Sequence, residues 1–328
     1  MLNIGLQITK NKDKYLKLLE YFKNNFKYEN KVRFINIQTD SNIIDHIKDL
    51  HVLLCYQIKK DFFVKASPSL KWIHIGGAGV ENSLIPEVIN SKVVISNSSG
   101  IHADPVSEYV FTAMLYFSKM LNELNIFKKT KVWTQWEIAK KSIQLKGKTI
   151  GIIGYGNIGK AIAKKAKAFN MNVIATRRLQ KKVESNRFVD KLIPMLDLEL
   201  LLSQSDFIII SCPLTPQTKN LIKRDQLKIM KNDSIIINIA RGEIINEEDL
   251  IFALKKDVIG GAALDVYSKE PLDPNSDIFA CNNILLSPHV SGNYKNYQRD
   301  MIKLFSENLE KYIEGKNLKN RVCKKRLY

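Results

Sequence analysis

The stretch KTIGIIGYGNIGKAIAKKAKAF, Lys148–Phe169, decides the fold. A short apolar run, Lys148–Ile153, feeds directly into Gly154-Tyr155-Gly156-Asn157-Ile158-Gly159, and the residues that follow carry the apolar spacing of a helix. In a strand, turn and helix of this kind each glycine has its own task. Gly154 permits the tight turn, Gly156 lets the backbone approach a pyrophosphate, and Gly159 lets helix and strand pack closely. The helix N-terminus then presents N–H groups to an anion, so Gly154, Gly156, Asn157, Ile158 and Gly159 read as a dinucleotide site.

Similar apolar runs extend on both sides. On the C-terminal side they are NVIAT (172–176), FIIIS (207–211), IIINIA (235–240), AALDV (262–266) and ILLS (284–287). Toward the N-terminus stand LNIGLQI (2–8), VRFINI (32–37), HVLLCY (51–56), WIHI (72–75) and VVIS (93–96). Continuous Ile- and Val-rich runs separated by helical patterns indicate strands buried on both faces of parallel sheets, hence an α/β class with two doubly wound sheets. A long helical pattern runs from Pro105 to about Phe127, with Asp104 as N-cap and Pro105 at the first helical position. An amphipathic segment, about Tyr294 to Ile313, closes the chain before a basic tail.

The run NVIAT leads into Thr176-Arg177-Arg178, with Arg177 lying 18 residues beyond Gly159. A fold that binds NAD(H) usually places a carboxylate there, to accept hydrogen bonds from the ribose hydroxyls. One hydroxyl and two guanidinium groups suit a 2′-phosphate instead, so the expected cofactor is NADP(H) rather than NAD(H).

Composition bounds the partners. The 328 residues, 45% hydrophobic and 26% charged, have a globular rather than a disordered balance. With 51 Lys and Arg against 33 Asp and Glu, the formal charge is +18. Only 9 of the basic residues are Arg, and the 42 Lys are spread over nearly every segment, with small concentrations at Lys164–Lys167 and Lys324–Arg326. Nucleic-acid binding needs clustered charge. This spread, with abundant Asn and Ile, is what an AT-rich coding sequence produces, and no nucleic-acid partner is expected. No apolar run approaches the ~20 residues that cross a bilayer, and the first residues lack the order of a signal peptide, which predicts a cytoplasmic protein without a membrane partner. Cys55, Cys212, Cys281 and Cys323 form no C-x-x-C pair, so free thiols and no metal are expected.

Three polar residues stand where later apolar runs end: Arg241 in NIARGEIINEEDL, Glu270 in LDVYSKEPL and His289 in LLSPHVSG. Ligands of open α/β sheets bind at strand carboxyl ends. Taken singly, each residue also has an ordinary structural reading, as a surface ion-pair arginine, a turn glutamate before Pro271 and a satisfied polar histidine.

Taken in order, the motifs resemble the D-isomer-specific 2-hydroxyacid dehydrogenases, a family that includes glyoxylate/hydroxypyruvate reductases and phosphoglycerate dehydrogenases. The resemblance is carried by LKWIHIGGAGVE (70–81), NSSGIHADPVSEYV (97–110), LKGKTIGIIGYGNIGKAIA (145–163), CPLTPQTKNLI (212–222), NIARGEIINEEDLIFAL (238–254), GAALDVYSKEPL (261–272) and SPHVSG (287–292). It implies a Rossmann-type cofactor domain, 99–289, inserted into a flavodoxin-like substrate domain made of 1–98 and 290–328, with substrate in the cleft between them. It implies reduction of a small 2-oxo acid to the D-2-hydroxy acid. Arg241 would bind the carboxylate and carbonyl oxygen, His289 would donate the proton, and Glu270 would hydrogen-bond the other ring nitrogen and favour the imidazolium.

At the cofactor, the resemblance implies that Asp265 binds the carboxamide and that Cys212, Pro213, Ile239 and Ala240 line the site. Gly77, Ala78 and Gly79 would present backbone N–H groups to the substrate carboxylate; the family often has a bulkier residue around Gly77. Tyr109 stands where the family often has His, and packing on the long helix is its expected role. His102 is left open between facing the site and facing solvent. Trp133 and Trp136 are expected at a homodimer contact. Two alternatives share the fold. A dinucleotide-sensing, corepressor-like binding protein would keep the same three polar residues, whereas formate dehydrogenase has Gln where Glu270 stands and is set aside.

Overall fold

The computed structural model describes residues 1–37 and 39–326; Gln38, Leu327 and Tyr328, which fall in the first and last expected domain segments, lie outside the described residues. Met1–Ile101 and Tyr294–Tyr328 form one unit, and His102–Asn293 forms the other. These divisions fall three to four residues later than the sequence boundaries at 98/99 and 289/290.

The first unit contains strands β1 (Leu2–Leu6), β2 (Val32–Asn36), β3 (Val52–Cys55), β4 (Trp72–Ile75) and β5 (Val94–Asn97). They pair in the order β2-β1-β3-β4-β5, every pair parallel, which is the flavodoxin-like doubly wound arrangement. β3 and β4 are buried along their whole length, which is why they read as unbroken apolar runs. One face is closed by the C-terminal helix Tyr297–Ile313, whose Met301, Ile302, Phe305 and Leu309 pack with Ile4, Leu6, Phe22 and Trp72.

A hydrogen-bonded polar cluster lies within this interior. The ring of His74 is fully buried, with Nδ1 2.7 Å from Ser96 Oγ and Nε2 3.1 Å from Ser98 Oγ, and Trp72 Nε1 donates to the same Ser96 hydroxyl. Burial pushes the imidazole pKa down from 6.5 to about 3, so the ring is neutral in the folded unit.

In the second unit, strands β6 (Thr149–Ile153), β7 (Asn172–Arg177), β8 (Glu184–Asn186), β9 (Val189–Pro194), β10 (Phe207–Ile210), β11 (Ile235–Asn238), β12 (Gly261–Leu264) and β13 (Ile284–Leu286) form a sheet in the order β13-β12-β11-β10-β6-β7-β9-β8. The order steps outward from β6 in both directions, as in a Rossmann sheet, and only β8 runs antiparallel to its neighbour. The register places Ile153, Ile210, Asn238, Leu264 and Leu286 side by side, so the segments that follow them emerge along one edge. β8 and β9 are absent from the sequence reading. Asp190 and Lys191 are exposed on β9, and this edge lacks the continuous apolar run of a central strand.

The long helix predicted from Pro105 to about Phe127 is two helices, Ala103–Ser118 and Leu121–Thr130, with Met120 left-handed at φ 54 between them. No Gly or Pro marks the break. Its cause is tertiary: Ile143 N–H donates to the carbonyl of Ser118, and Lys119 Nζ donates to the carbonyl of Ile143. The helix also begins at Ala103, so Asp104 is not the N-cap; its carboxylate pairs with Lys165 Nζ at 2.9 Å. Among the described residues no helix is long and apolar enough to cross a membrane.

Two stability predictions follow from His74 and Asp206. Because folded His74 resists protonation, unfolding takes up a proton between pH 6.5 and about 3, and its contribution to stability is complete above pH 6.5 and declines below it. The opening free energy read from amide exchange in β4 and β5, after correction for the intrinsic pH dependence, falls accordingly by up to about 1.4 kcal/mol per pH unit, and His74→Asn flattens that dependence. In the second unit Asp206 accepts from Thr149 N at 2.7 Å and Lys231 Nζ at 2.9 Å, joining the starts of β6, β10 and β11. Asp206→Ala strands both donors and lowers the unit's stability in urea by about 1–3 kcal/mol.

Candidate active site

The glycine turn is held from both sides by hydroxyls. Thr176 Oγ1 accepts from Gly154 N at 3.2 Å, and Ser211 Oγ donates to the carbonyl of Gly154 at 2.8 Å. Gly154 has φ +104, and a Cβ there would meet Cys212 N at 2.7 Å. A Cβ on Gly159 would meet the Gly154 carbonyl at 2.4 Å, whereas one on Gly156 would meet nothing within 4 Å. Open space thus lies over the middle glycine, and close packing at the other two.

The helix Asn157–Ala168 has Gly156 as its N-cap, without a side-chain cap, and no acidic residue in its first turn; Lys165 and Lys167 occupy its last. This polarity suits an anion at the N-terminus, so the residues present fit a pyrophosphate. Asn157 is exposed and Ile158 half-buried at that end. Cys212 is buried against the turn, where burial pushes its thiol pKa up to about 12, and Ile239 and Ala240 are buried at the end of β11. The carbonyl of Pro213 accepts from Thr218 Oγ1 at 2.7 Å. At the end of β7, Arg177 and Arg178 are exposed, but Thr176 is fully buried, its hydroxyl directed to the turn.

Arg241 stands three residues past β11, where Asn238 fixes its backbone. Asn238 Nδ2 donates to the Arg241 carbonyl at 2.9 Å, while its Oδ1 accepts from Ala240 N at 3.1 Å. Gly242 permits the next step, since a Cβ there would lie 1.9 Å from the carbonyl carbon of Tyr267. This close approach brings the Arg241 turn against the segment that carries Glu270.

Glu270 and His289 are in contact, with Glu270 Oε2 2.7 Å from His289 Nδ1, and Glu270 Oε1 accepts from Tyr267 N at 3.1 Å. A carboxylate only accepts, so it selects the tautomer with hydrogen on Nδ1 and leaves Nε2 for chemistry. The histidine side chain is 49% exposed. A cavity of about 740 Å³ adjoins the pair, lined by Tyr267, Leu272, Phe279, Leu286 and Pro288.

His289 has φ 53, a left-handed backbone that costs an L residue about 1–2 kcal/mol. Asp265 holds it there. The Asp265 carbonyl accepts from His289 N at 2.9 Å, Oδ1 from Val290 N at 2.8 Å, and Oδ2 from Ser291 N at 3.0 Å. Ser287 Oγ also donates to Oδ1, at 2.6 Å. Asp265, expected as a carboxamide ligand, anchors the histidine loop in this structure.

His102 is partly buried, with Nδ1 3.1 Å from the carbonyl of Gly292 in the same loop. Tyr109 does more than pack on its helix: its hydroxyl lies 2.6 Å from Ser287 Oγ. Ser287 and Asn238 escaped the sequence reading, although both stand inside motifs quoted for other residues.

In the first unit, the loop Gly76–Gly79 follows β4. The carbonyls of Gly76, Gly77 and Ala78 are taken by Tyr297 OH, Ser98 N at 3.0 Å and Asn97 Nδ2 at 2.6 Å. These three bonds fix the loop through its carbonyls and use none of the N–H groups of Gly77, Ala78 and Gly79. A Cβ on Gly77 would meet nothing closer than 4.0 Å.

Comparison with known proteins agrees with this architecture. Residues 111–291 match the family model described as "D-isomer specific 2-hydroxyacid dehydrogenase, NAD binding domain". The chain is 32% identical to a glyoxylate reductase of Thermococcus litoralis over 286 residues, covering 86% of this chain and 85% of that protein. It is 31% identical to a D-3-phosphoglycerate dehydrogenase of Methanocaldococcus jannaschii over 86% of this chain and 53% of the relative. Among solved structures, a D-isomer specific 2-hydroxyacid dehydrogenase family protein from Aeromonas salmonicida superposes with TM-score 0.85 at 27% identity, covering 98% of this chain and 99% of that one. The chain belongs to the D-isomer specific 2-hydroxyacid dehydrogenase family, and its second unit carries the NAD-binding domain.

Proposed function

We propose that this chain is an oxidoreductase that reduces a small 2-oxo acid, of the glyoxylate or hydroxypyruvate class, to the D-2-hydroxy acid, with NADPH as the preferred reductant. The observation that carries the reading is the Glu270–His289 contact of 2.7 Å, on the same unit as the glycine turn. Family membership and the glyoxylate reductase relatives support the reaction class. In this reading His102–Asn293 is the cofactor domain, and Met1–Ile101 with the C-terminal segment is the substrate domain.

A bound nicotinamide supplies the hydride. Arg241 binds the substrate carboxylate with its planar fork and stabilises the negative charge that builds on the carbonyl oxygen. His289 gives that oxygen its proton from Nε2 while its Nδ1–H stays hydrogen-bonded to Glu270. In the first unit, the N–H groups of Gly77, Ala78 and Gly79 serve as carboxylate donors. Arg177 and Arg178 receive the 2′-phosphate. The exposed indoles of Trp133 and Trp136, 77% and 68% accessible in the single chain, support a homodimer contact.

His289→Ala lowers kcat for glyoxylate or hydroxypyruvate by about 10²- to 10⁴-fold while NADPH still binds, as followed by nucleotide fluorescence. A wild-type chain that turns over no member of a broad 2-oxo acid panel with either cofactor rejects the enzyme reading in favour of a dinucleotide-sensing one. The cofactor assignment has its own test. Replacing Arg177 and Arg178 by Ser reduces kcat/KM with NADPH roughly 10- to 100-fold and leaves NADH nearly unchanged. Equal losses with both nucleotides remove the phosphate role.

A further inference from the structure

We propose that Tyr109 and Ser287 are positioning residues for His289, acting in series through Asp265; the inference rests on the acid role given to His289 above. The direction of the hydrogen bonds follows from what each group can do. The Asp265 carboxylate has no proton to give, so the Ser287 hydroxyl spends its only hydrogen on Oδ1, at 2.6 Å. Ser287 Oγ then has only lone pairs to offer Tyr109, 2.6 Å away, so the phenol is the donor. The result is a one-way chain, from Tyr109 O–H to Ser287 Oγ–H to Asp265 Oδ1.

That chain ends on the carboxylate whose oxygens also take Val290 N–H and Ser291 N–H, the two amides directly after His289. Ser287 is itself gripped at every polar atom. Its N–H donates to the Leu264 carbonyl at 2.9 Å, and its own carbonyl accepts from Tyr267 OH at 3.0 Å and His289 N at 3.1 Å. Asp265 is fully buried, and of the three groups that donate to its carboxylate one, Ser287 Oγ, comes from a side chain and is itself held by Tyr109. If Ser287 Oγ is lost, Oδ1 keeps one amide and can turn about χ2; Val290 and Ser291 follow it, and the left-handed residue between the strand end and these amides loses its fixed direction. Burial raises the Tyr109 pKa, which keeps this donor protonated. Tyr109 therefore reaches the loop of the reacting histidine through Ser287 and Asp265.

Steady-state kinetics of Tyr109→Phe, Ser287→Ala and the double variant test the series. The expected result is a kcat at least fivefold lower in each single variant with KM for NADPH within twofold, no additional loss in the double variant, and recovery in Ser287→Thr, which keeps the Oγ. A separate readout works without turnover. Of the five histidines, His289 is identified in ¹⁵N-histidine spectra by His289→Ala, and wild type shows a single Nδ1–H tautomer at that site. Tyr109→Phe and Ser287→Ala shift its ring signals toward a tautomer average. Unchanged His289 signals in both variants overturn the proposal, as do wild-type kcat values in an active enzyme; a wild type without turnover but with the expected spectral change rejects the reaction assigned above and leaves the positioning chain standing.

Discussion

Three consecutive amides, those of His289, Val290 and Ser291, all end on Asp265, one on its main-chain oxygen and two on its carboxylate. This convergence is the constraint on which the geometry of the candidate site depends. A histidine in the left-handed region is held there only where its surroundings over-determine it. Asp265 directly follows β12 and donates its own N–H to the carbonyl of Asn238 at the end of β11. Asn238 in turn fixes the Arg241 backbone. The guanidinium and the imidazole thus take their positions from neighbouring strand ends rather than from free loops, the kind of support that keeps reacting groups in place.

The same edge sorts the basic residues. Most of the +18 charge is lysine on the surface, and pairs such as Lys23–Glu29 and Lys60–Glu87 are exposed at both partners or nearly so. Ion pairs of that kind contribute little to stability. Arg177, Arg178 and Arg241 differ in location: Arg177 ends β7, Arg178 follows it directly, and Arg241 stands three residues past β11. Lys160, Lys164, Lys165 and Lys167 lie on the helix that begins at the glycine turn, two of them in its last turn, where they complement the helix dipole.

What was legible in the sequence follows from what each element needed. Central strands such as Ile235–Asn238 are buried on both faces, so their composition betrays them, and the glycine turn requires small residues at fixed spacing, which leaves a pattern. The edge strand Val189–Pro194 satisfies neither condition. The break at Met120 depends on Ile143 reaching the Ser118 carbonyl, a contact far along the chain that no local pattern records. Arg241, Glu270 and His289 could be singled out because their types suit the chemistry and because they stand in order in quoted motifs. Ser287 and Asn238 carry no such mark: serine and asparagine are common, and their importance comes from which backbone groups they meet. Thr176 shows the opposite case, a residue placed at the cofactor by spacing whose hydroxyl is occupied in holding the turn.

The interrupted first unit has a consequence for synthesis. Its five strands are all made before residue 98, yet one face of their sheet is covered by Met301, Ile302, Phe305 and Leu309, which are made only after the whole second unit. The second unit has its whole sheet and both of its hydrophobic clusters within His102–Asn293. Domains generally fold as units during translation at about 5–20 residues per second. The nucleotide-binding half therefore completes first, although it comes second in the chain, and the N-terminal half waits roughly 10–40 s with Trp72 and Phe22 uncovered, a window in which this nascent chain is most in need of a chaperone.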